Sequence, residues 1–317
     1  MPDILYIVVP CYNEQEVLPE TARRLKLKME TLIAAGTINF KSRVLFVNDG
    51  SKDSTWEIIE GLHKECAFFS GVDLSRNRGH QNALLAGLMT AMERADVAIS
   101  MDADLQDDIN AVDEMLKKYY EGCDIVYGVR SARKKDTFFK KITAEGFYRI
   151  MNIMGAETVF NHADYRLMSK RALRGLSEFE EVNLFLRGIV PMIGYRTDSV
   201  YYEREERFAG QSKYPLKKML SFAMEGITSL STKPIRFITL GGFAVFLISI
   251  IMVIYFICRW AIGATVSGWA SIICSVWFIG GLVMLSLGIV GEYVGKIYLE
   301  SKKRPRYIIK SVLEKKE

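Results

Sequence analysis

Five short and largely apolar runs divide the first 130 residues, and four of them end directly in a cluster of polar side chains. Such continuous runs are typical of parallel strands that are buried on both faces of a sheet. The intervening stretches have helical spacing, so the sequence predicts a doubly wound α/β domain. Because the carboxyl ends of parallel strands meet at one edge, we expect the polar clusters to collect there. The runs are residues 4–9, 44–47, 71–74, 97–99 and 125–128.

The most informative cluster is Ser100 to Asp108, SMDADLQDD, which follows the fourth run. One small residue separates Asp102 from Asp104, so both carboxylates can turn toward one hard cation. Mg²⁺ and Mn²⁺ take oxygen ligands, commonly one or two carboxylates together with substrate phosphates. Along a strand-like backbone, side chains two residues apart point to the same side, so Gln106 adds a neutral oxygen ligand on the side of Asp102 and Asp104. A D-x-D pattern alone also fits an acidic turn that caps the following helix.

Two further clusters have features of a nucleotide site. Asp49, in the turn N-D-G-S, is placed to accept a hydrogen bond from a base N–H. The turn from Pro10 to Glu14 can line the base and the ribose. Each turn by itself is equally explained as a loop with a helix cap, so the interpretation depends on several clusters lying at one sheet edge.

Two uncharged apolar segments dominate the last third of the chain. Residues 237–258 and 260–291 are each long enough for one membrane span, since about 20 apolar residues cross the hydrocarbon core. A short turn near residues 263–268 joins them, which predicts a hairpin of two transmembrane helices. Lys and Arg flank its outer ends, so the positive-inside rule puts both termini in the cytoplasm.

The segment before the hairpin has apolar residues at helical spacing and lysines on the opposite face. It is predicted to be an amphipathic helix at the membrane surface, with a core helix of the globular domain as the alternative. The predicted organisation is an α/β domain over 1–214, the interfacial helix over 215–233, two transmembrane helices within 234–294 (about 235–258 and 269–292) and a basic cytoplasmic tail over 295–317.

Composition narrows the class of protein. Half of the residues are hydrophobic while 25% are charged, a mixture typical of a globular domain joined to a membrane part. The net charge of +5 is spread too widely to indicate nucleic-acid binding. The five cysteines form no close pair, which favours a reduced cytosolic setting. Three histidines without metal-ligand spacing are expected to be surface or hydrogen-bonding residues: His63, His80 and His162.

Four motifs together resemble those of the inverting GT-A glycosyltransferases of family 2: V-P-C-Y-N-E (9–14), V-N-D-G-S-K-D-S-T (47–55), L-S-R-N-R-G (74–79) and M-D-A-D-L-Q-D (101–107). Within that family the chain is similar to the polyprenyl-phosphate hexosyltransferases, which include dolichyl-phosphate mannose synthase and the bacterial bactoprenol glucosyltransferases. The segment R-x-x-G-Q-S-K-Y (207–214) and the two apolar spans narrow the resemblance to the short, hairpin-anchored bacterial type. Many relatives follow D-L-Q-D with prolines, where this chain has Asp108 and Ile109.

The resemblance implies a GT-A fold with a divalent cation, Mg²⁺ or Mn²⁺, held by Asp102, Asp104 and Gln106. It also implies that Asp104 takes part in catalysis and that Asp164 acts as a base or orients the acceptor. For Asp164 the alternative is a simple ion pair with Arg166. A phosphate acceptor has a second pKa near ~6 and is already nucleophilic at cytosolic pH, so a strong base is not required.

The other motif residues are implied to bind substrates. Residues at the strand ends would contact the nucleotide sugar: Pro10, Tyr12, Glu14, Asp49, Asp102 and Ala103. Basic residues would contact the acceptor phosphate: Arg130, Arg207 and Lys213. For the last two, the alternative is ordinary attraction to anionic lipids.

The implied activity is that of a metal-dependent polyprenyl-phosphate hexosyltransferase of the cell envelope. It would move a hexose, with inversion, from a nucleotide sugar to polyprenyl (undecaprenyl) phosphate at the cytoplasmic face of the plasma membrane. UDP-glucose is the first choice of donor, followed by UDP-N-acetylglucosamine and then GDP-mannose. A homo-oligomer, in the form of a tetramer, is an expectation at the level of the family.

Two other classes remain open. A processive polysaccharide synthase shares this type of catalytic domain but normally carries Q-x-x-R-W and more spans, whereas here Phe256 precedes Arg259 and Trp260 in place of Gln. A non-catalytic membrane scaffold that binds a nucleotide sugar is the second alternative. The intact Asp102 and Asp104 favour an enzyme over a scaffold.

Overall fold

The chain folds into two compact units. The computed structural model describes residues 2–130, 162–203, 233–262 and 268–314. The first unit holds the described residues up to 130, from 162 to 203 and from 304 to 314, and the second holds those from 233 to 303. Arg207, Lys213 and the predicted interfacial helix, apart from its last residue, lie outside the described ranges.

The first unit is built on one eight-stranded sheet. The strands are β1 (Leu5–Cys11), β2 (Arg43–Asn48), β3 (Phe69–Leu74), β4 (Val97–Ser100), β5 (Ile125–Arg130), β6 (His162–Ser169), β7 (Thr197–Tyr202) and β8 (Ile309–Leu313). Their order is β7-β5-β6-β4-β1-β2-β3-β8. Among the described residues, four of the seven pairings are parallel, which confirms the predicted, mostly parallel α/β sheet.

Helices cover both faces of this sheet, as strands that are apolar on both sides require. The helices are α1 (Leu18–Ala34), α2 (Thr55–Glu65), α3 (His80–Met92), α4 (Ala111–Tyr120), α5 (Lys170–Ser177) and α6 (Leu186–Met192). On one face, Leu25 and Met115 belong to a core that α1, α2 and α4 share with the strands. On the other face, Leu85 and Leu173 belong to the core of α3, α5 and α6.

The strand order changes direction at β1. This strand pairs with β2 on one side and with β4 on the other, both in parallel. Ligands of open α/β sheets bind outside the carboxyl ends of the strands at such a switch point. The loops that follow β1 and β4, which carry Tyr12 to Glu14 and Asp102 to Gln106, both start there.

Strand β6 runs antiparallel between β4 and β5, at a place where the sequence predicted no strand. Ser100 pairs with Arg166 and Val129 with His162. Because β6 is reversed, its first residues lie at the same edge as the carboxyl ends of its neighbours. Strand β7, parallel to β5, brings Tyr202 opposite Arg130 at this edge as well.

The last residues differ from the predicted basic tail over 295–317. The preceding helix continues to Ser301, and β8 then pairs antiparallel with β3. The Lys310 Nζ lies 2.9 Å from an oxygen of Asp73, and the other oxygen of Asp73 accepts a hydrogen bond of 2.7 Å from the Asn48 side chain. Residues 309–313 are therefore the edge strand of the sheet.

The second unit contains two long helices, α7 (Lys233–Ala261) and α8 (Trp269–Ser301), which overlap the predicted spans. Within the described part of the chain, one segment is long and apolar enough to cross a membrane, Phe278–Ser301 in α8. The two-helix transmembrane hairpin is therefore not confirmed.

Candidate active site

The loops that follow β1 and β2 are joined to each other by hydrogen bonds. Ser51 accepts one from the Asn13 backbone N–H at 3.0 Å, and Thr55 accepts one from that of Glu14 at 2.9 Å. In return, the Asn13 side-chain oxygen accepts from the Lys52 N–H at 2.9 Å. The loops that contain Asn13 and Ser51, two residues that are 38 positions apart in the sequence, thus form one surface.

A cavity of about 440 Å³ opens beside these joined loops. Of the residues predicted to hold the nucleoside, Glu14 lines it, Pro10 is buried within β1 and Tyr12 is 42% exposed. The lining residues are Asn13, Glu14, Gln15, Glu16, Val17, Lys52 and Asp53.

Asp49 is buried and bound to the backbone of the next loop. Its two oxygens accept hydrogen bonds from the N–H groups of Arg78, at 2.6 Å, and Gly79, at 2.9 Å. Burial raises the pKa of Asp49, and these two backbone bonds oppose the rise. Next to it, Gly50 has φ +63°, and a Cβ there would lie 2.5 Å from the Asn77 nitrogen. The loop that begins α3 is therefore fixed by Asp49 and closely packed.

The segment after β4 turns sharply. Leu105 has φ 57°, in the left-handed region that non-glycine residues rarely adopt. The backbone here is therefore not the extended one on which the sequence placed Gln106 beside the carboxylates. Asp102 and Asp104 are partly exposed, whereas Ala103 and Gln106 are buried. Backbone strain of this kind is common at functional sites.

Asp102 lies among charged groups from four segments. His80 Nε2 is 3.6 Å from one of its oxygens, and an Arg130 guanidinium nitrogen is 4.0 Å from the other. Burial raises the pKa of Asp102 to about 6; His80 opposes the rise, and the carboxylates of Asp107, Asp164 and Asp104 add to it. Negative charge is therefore concentrated at the end of β4.

Asp164, near the start of β6, is held by two arginines. The fully buried Arg166 approaches one of its oxygens to 2.6 Å, and Arg187 approaches the other to 3.1 Å. Burial alone would raise the pKa of Asp164, but Arg187, followed by His80 and Arg166, holds it well below its usual range. Ser100 donates a hydrogen bond of 2.5 Å to the Asp164 carbonyl, which ties β6 to β4. Asp164 is thus ionised and firmly placed.

His80, expected to be a surface or hydrogen-bonding histidine, lies between the carboxylates of Asp102 and Asp164. Its Nε2 is 3.6 Å from Asp102 and 3.7 Å from Asp164. Burial lowers the pKa of His80, but the nearby carboxylates of Asp164 and Asp102 raise it above its usual value. The sequence feature that could have identified His80 as a site residue is its position directly after L-S-R-N-R-G, within the polar cluster that follows the third strand. Sequence reasoning also missed Arg187, Asp107 and Tyr202.

Of the residues predicted for the acceptor phosphate, Arg130 lies in the described ranges. It ends β5, where its Nε donates to the Tyr202 hydroxyl at 3.2 Å and a terminal nitrogen donates to Asp107 at 3.2 Å. Arg130 thus reaches both the predicted cation site and a second buried carboxylate.

The residues at the end of β4 fit a divalent cation. In the described part of the chain, no group of three or more His, Cys, Asp and Glu side chains is arranged as a metal cage. Mg²⁺, however, usually binds through one or two carboxylates together with substrate phosphates. Burial is the main cause of the raised pKa of Asp102, and the carboxylates of Asp107, Asp164 and Asp104 add to it; a bound cation would oppose both effects. Asp102 and Asp104 would hold it, and the Gln106 backbone N–H donates a hydrogen bond of 3.2 Å to Asp104.

In an open α/β sheet, a switch point with a carboxylate-rich edge is a usual place for a ligand-binding site. Residues 6–176 match the family described as glycosyl transferase family 2. The chain belongs to this family and is a glycosyltransferase.

Three relatives cover nearly the whole chain. An uncharacterised glycosyltransferase, YkoT, from Bacillus subtilis is 54% identical over 96% of this chain and 91% of its own. A prophage bactoprenol glucosyl transferase homologue from Escherichia coli is 38% identical over 96% of this chain and 98% of its own. The bactoprenol glucosyl transferase of Shigella phage SfV is 38% identical over 98% and 99%.

Proposed function

We propose that this glycosyltransferase moves a hexose from a nucleotide sugar, with UDP-glucose as the first candidate, to the phosphate of a polyprenol. The observation that carries the proposal is the convergence of Asp102, Asp164, His80 and Arg130 at the carboxyl edge of the sheet. The polyprenyl acceptor is supported by the relatives named as bactoprenol glucosyl transferases.

The reaction exchanges one bond at the anomeric carbon. An acceptor phosphate oxygen forms the new bond, the bond to the diphosphate breaks, and its electron pair leaves with the diphosphate, so the configuration inverts. A bound Mg²⁺ or Mn²⁺, held by Asp102 and Asp104, would stabilise the charge on the departing diphosphate. Arg130, which the sequence analysis assigned to the acceptor phosphate, lies 4.0 Å from Asp102, and we propose that it adds a positive charge beside the diphosphate instead.

Asp164 serves as an orienting residue in this proposal. Two arginines keep its carboxylate ionised, which makes it a weak base. A polyprenyl phosphate is largely dianionic near neutral pH, with a second pKa of ~6, and needs no proton removed. Asp164 instead fixes Arg187 and lies 3.7 Å from His80, and both of these groups border the site.

The nucleoside would lie along the joined loops after β1 and β2, near the cavity lined by Asn13 and Glu14. Arg207 and Lys213 are proposed to reach the acceptor phosphate. The catalytic domain over 1–214, the interfacial helix over 215–233 and two spans at about 235–258 and 269–292 would place the reaction at the cytoplasmic face of the plasma membrane.

The decisive experiment is a transfer assay with the full chain in detergent. It uses undecaprenyl phosphate, Mg²⁺ or Mn²⁺, and radiolabelled UDP-glucose, UDP-N-acetylglucosamine or GDP-mannose. We expect one acid-labile lipid product, labelled best by UDP-glucose and abolished by a chelator. Label in a polymer would instead support a processive synthase. Binding of a donor without any transfer would support the scaffold.

Membrane topology needs a separate test. Reporter fusions at residue 265 and after residue 317 should place the first outside and the second inside if both spans cross. A single crossing helix would put the two ends of the second unit on opposite sides and contradict the hairpin.

A further inference from the structure

A buried triangle of polar groups lies behind the cation site. Asp107 accepts a hydrogen bond of 2.5 Å from the Tyr202 hydroxyl and one of 3.2 Å from Arg130, both at the same oxygen. Arg130 Nε closes the triangle by donating to the Tyr202 hydroxyl at 3.2 Å. The three residues come from the loop after β4, the end of β5 and the end of β7, so the fold gathers them from separate segments.

Burial makes these contacts costly to break. The Asp107 side chain is 1% exposed and that of Arg130 is 23% exposed. Among the residues that the structure describes, the second oxygen of Asp107 is buried without a hydrogen-bond partner, and the contacts of this carboxylate with Arg130 and Tyr202 are made by its first oxygen. An uncompensated buried charge is strongly unfavourable, which ties the arginine to this place.

The triangle also determines where the guanidinium points. The Arg130 nitrogen that donates to Asp107 lies 4.0 Å from Asp102, the residue proposed to hold the cation. Burial lowers the pKa of Arg130, but Asp107 and Tyr202 outweigh it and raise the pKa, so the group stays charged. Arg130 therefore presents a fixed positive charge to the position of the diphosphate.

We propose that Asp107 and Tyr202 are positioning residues that hold Arg130 beside Asp102, where its guanidinium stabilises the departing diphosphate. This inference rests on the proposed function. Preorganised positive charge is most effective on charge that develops in the transition state. Loss of the positioning contacts therefore lowers kcat more than it raises the KM for the donor.

The test variant is Tyr202→Phe, which removes only the hydroxyl. The edge-to-face contact of its ring with Tyr165, with centroids 5.3 Å apart, should remain. Tyr201→Phe is the matched control, because Tyr201 is the neighbouring tyrosine on β7 and is 71% exposed. We expect Tyr202→Phe to lower kcat about 10- to 100-fold, the scale of a misplaced catalytic group, with little change in KM. Tyr201→Phe should match the wild type.

A double-mutant cycle separates positioning from simple structural support. If Tyr202 acts through Arg130, Tyr202→Phe has no further effect on kcat in an Arg130→Gln background. Asp107→Asn is the second variant and should lower kcat in the same way. Decreases in kcat that multiply in the double mutant would overturn the inference. A higher KM together with a lower melting temperature, without a specific decrease in kcat, would overturn it as well.

The assay distinguishes this inference from the proposed function. Transfer by the wild type, with Tyr202→Phe equal to Tyr201→Phe, overturns the inference alone. Absence of transfer by the wild type overturns the proposed function, and the inference with it.

Discussion

The two halves of the sheet edge are organised in different ways. In the half after β1, β2 and β3, polar side chains bind backbone N–H groups, as Asp49 does with Arg78 and Gly79. In the half formed by the ends of β4, β5 and β7 and the start of β6, charged side chains bind each other, as Asp164 does with Arg166 and Arg187. One half is a framework of main-chain contacts, and the other is a network of charges.

This difference indicates a division of labour. Main-chain contacts define the shape of a loop and suit the binding of a neutral base and ribose. A network of charged side chains provides a preorganised electrostatic potential at the place where charge moves during the reaction. We therefore expect changes in the charge network to lower kcat, and changes in the framework to weaken substrate binding.

The largest effect is expected from Asp104→Asn. Loss of one of the two proposed cation ligands should lower kcat by about 10³-fold, near the upper range for a lost electrostatic stabiliser. The transfer assay measures this directly. Asp113→Asn, which removes an exposed carboxylate that pairs with Lys28 on the surface, is the control and should retain full activity. Equal activities of the two variants would contradict a role for Asp104.

Asp164→Asn should reduce both stability and activity. It leaves Arg166, which is 1% exposed, without its charged partner, and breaking such a buried pair costs about 3 kcal/mol. A thermal melt of the detergent-solubilised chain should show a clear decrease in Tm. Arg187→Gln should have a smaller effect on Tm, because the Arg187 side chain is 31% exposed. The reverse order would show that Asp164 serves Arg187 rather than Arg166.

In the framework half, Asp49→Asn should raise the KM for the donor by about tenfold and change kcat little. The variant weakens two charge-assisted hydrogen bonds to the loop that begins α3, each contributing about 1.5–3 kcal/mol. Part of the lost free energy is expressed as a change in the conformation of that loop. Steady-state kinetics with varied donor measures both constants. Glu57→Gln, on the exposed side of α2, controls for a general loss of charge. A fall in kcat alone would abolish the distinction between the halves.

The smallest effect is expected from Lys310→Ala. Its ammonium lies 2.9 Å from the buried Asp73, but the Lys310 side chain is 66% exposed, and solvent screens a charge placed there. We expect no measurable change in kcat or in melting temperature. Asp73→Ala is the contrasting variant, since Asp73 also accepts the buried Asn48 amide at 2.7 Å, and it should lower the melting temperature.

The framework half was largely predictable from sequence. Its strands are continuous apolar runs, and each polar cluster follows its strand directly, so local order in the sequence matches local order in space. Asp49 and Asn13 could be assigned to one edge for that reason. The sequence did not show that both oxygens of Asp49 accept hydrogen bonds from the backbone of the next loop.

The charge network was predicted only in part. Asp102 follows a recognisable strand, but Asp164 reaches the site because β6 runs antiparallel between β4 and β5, a pairing that no local pattern encodes. His80 and Tyr202 were missed because their partners lie 22 or more residues away in the sequence. Long-range strand order, rather than residue type, determined which charges meet.

The position of β8 has a consequence for how the chain is made. This edge strand comes from residues 309–313, after both long helices of the second unit. While the ribosome is still adding those helices, β3 has no outer neighbour, and its hydrogen-bonding groups remain open to other chains. Completion of the sheet is therefore a late event in biosynthesis, and a messenger truncated near its end would produce a protein that tends to aggregate.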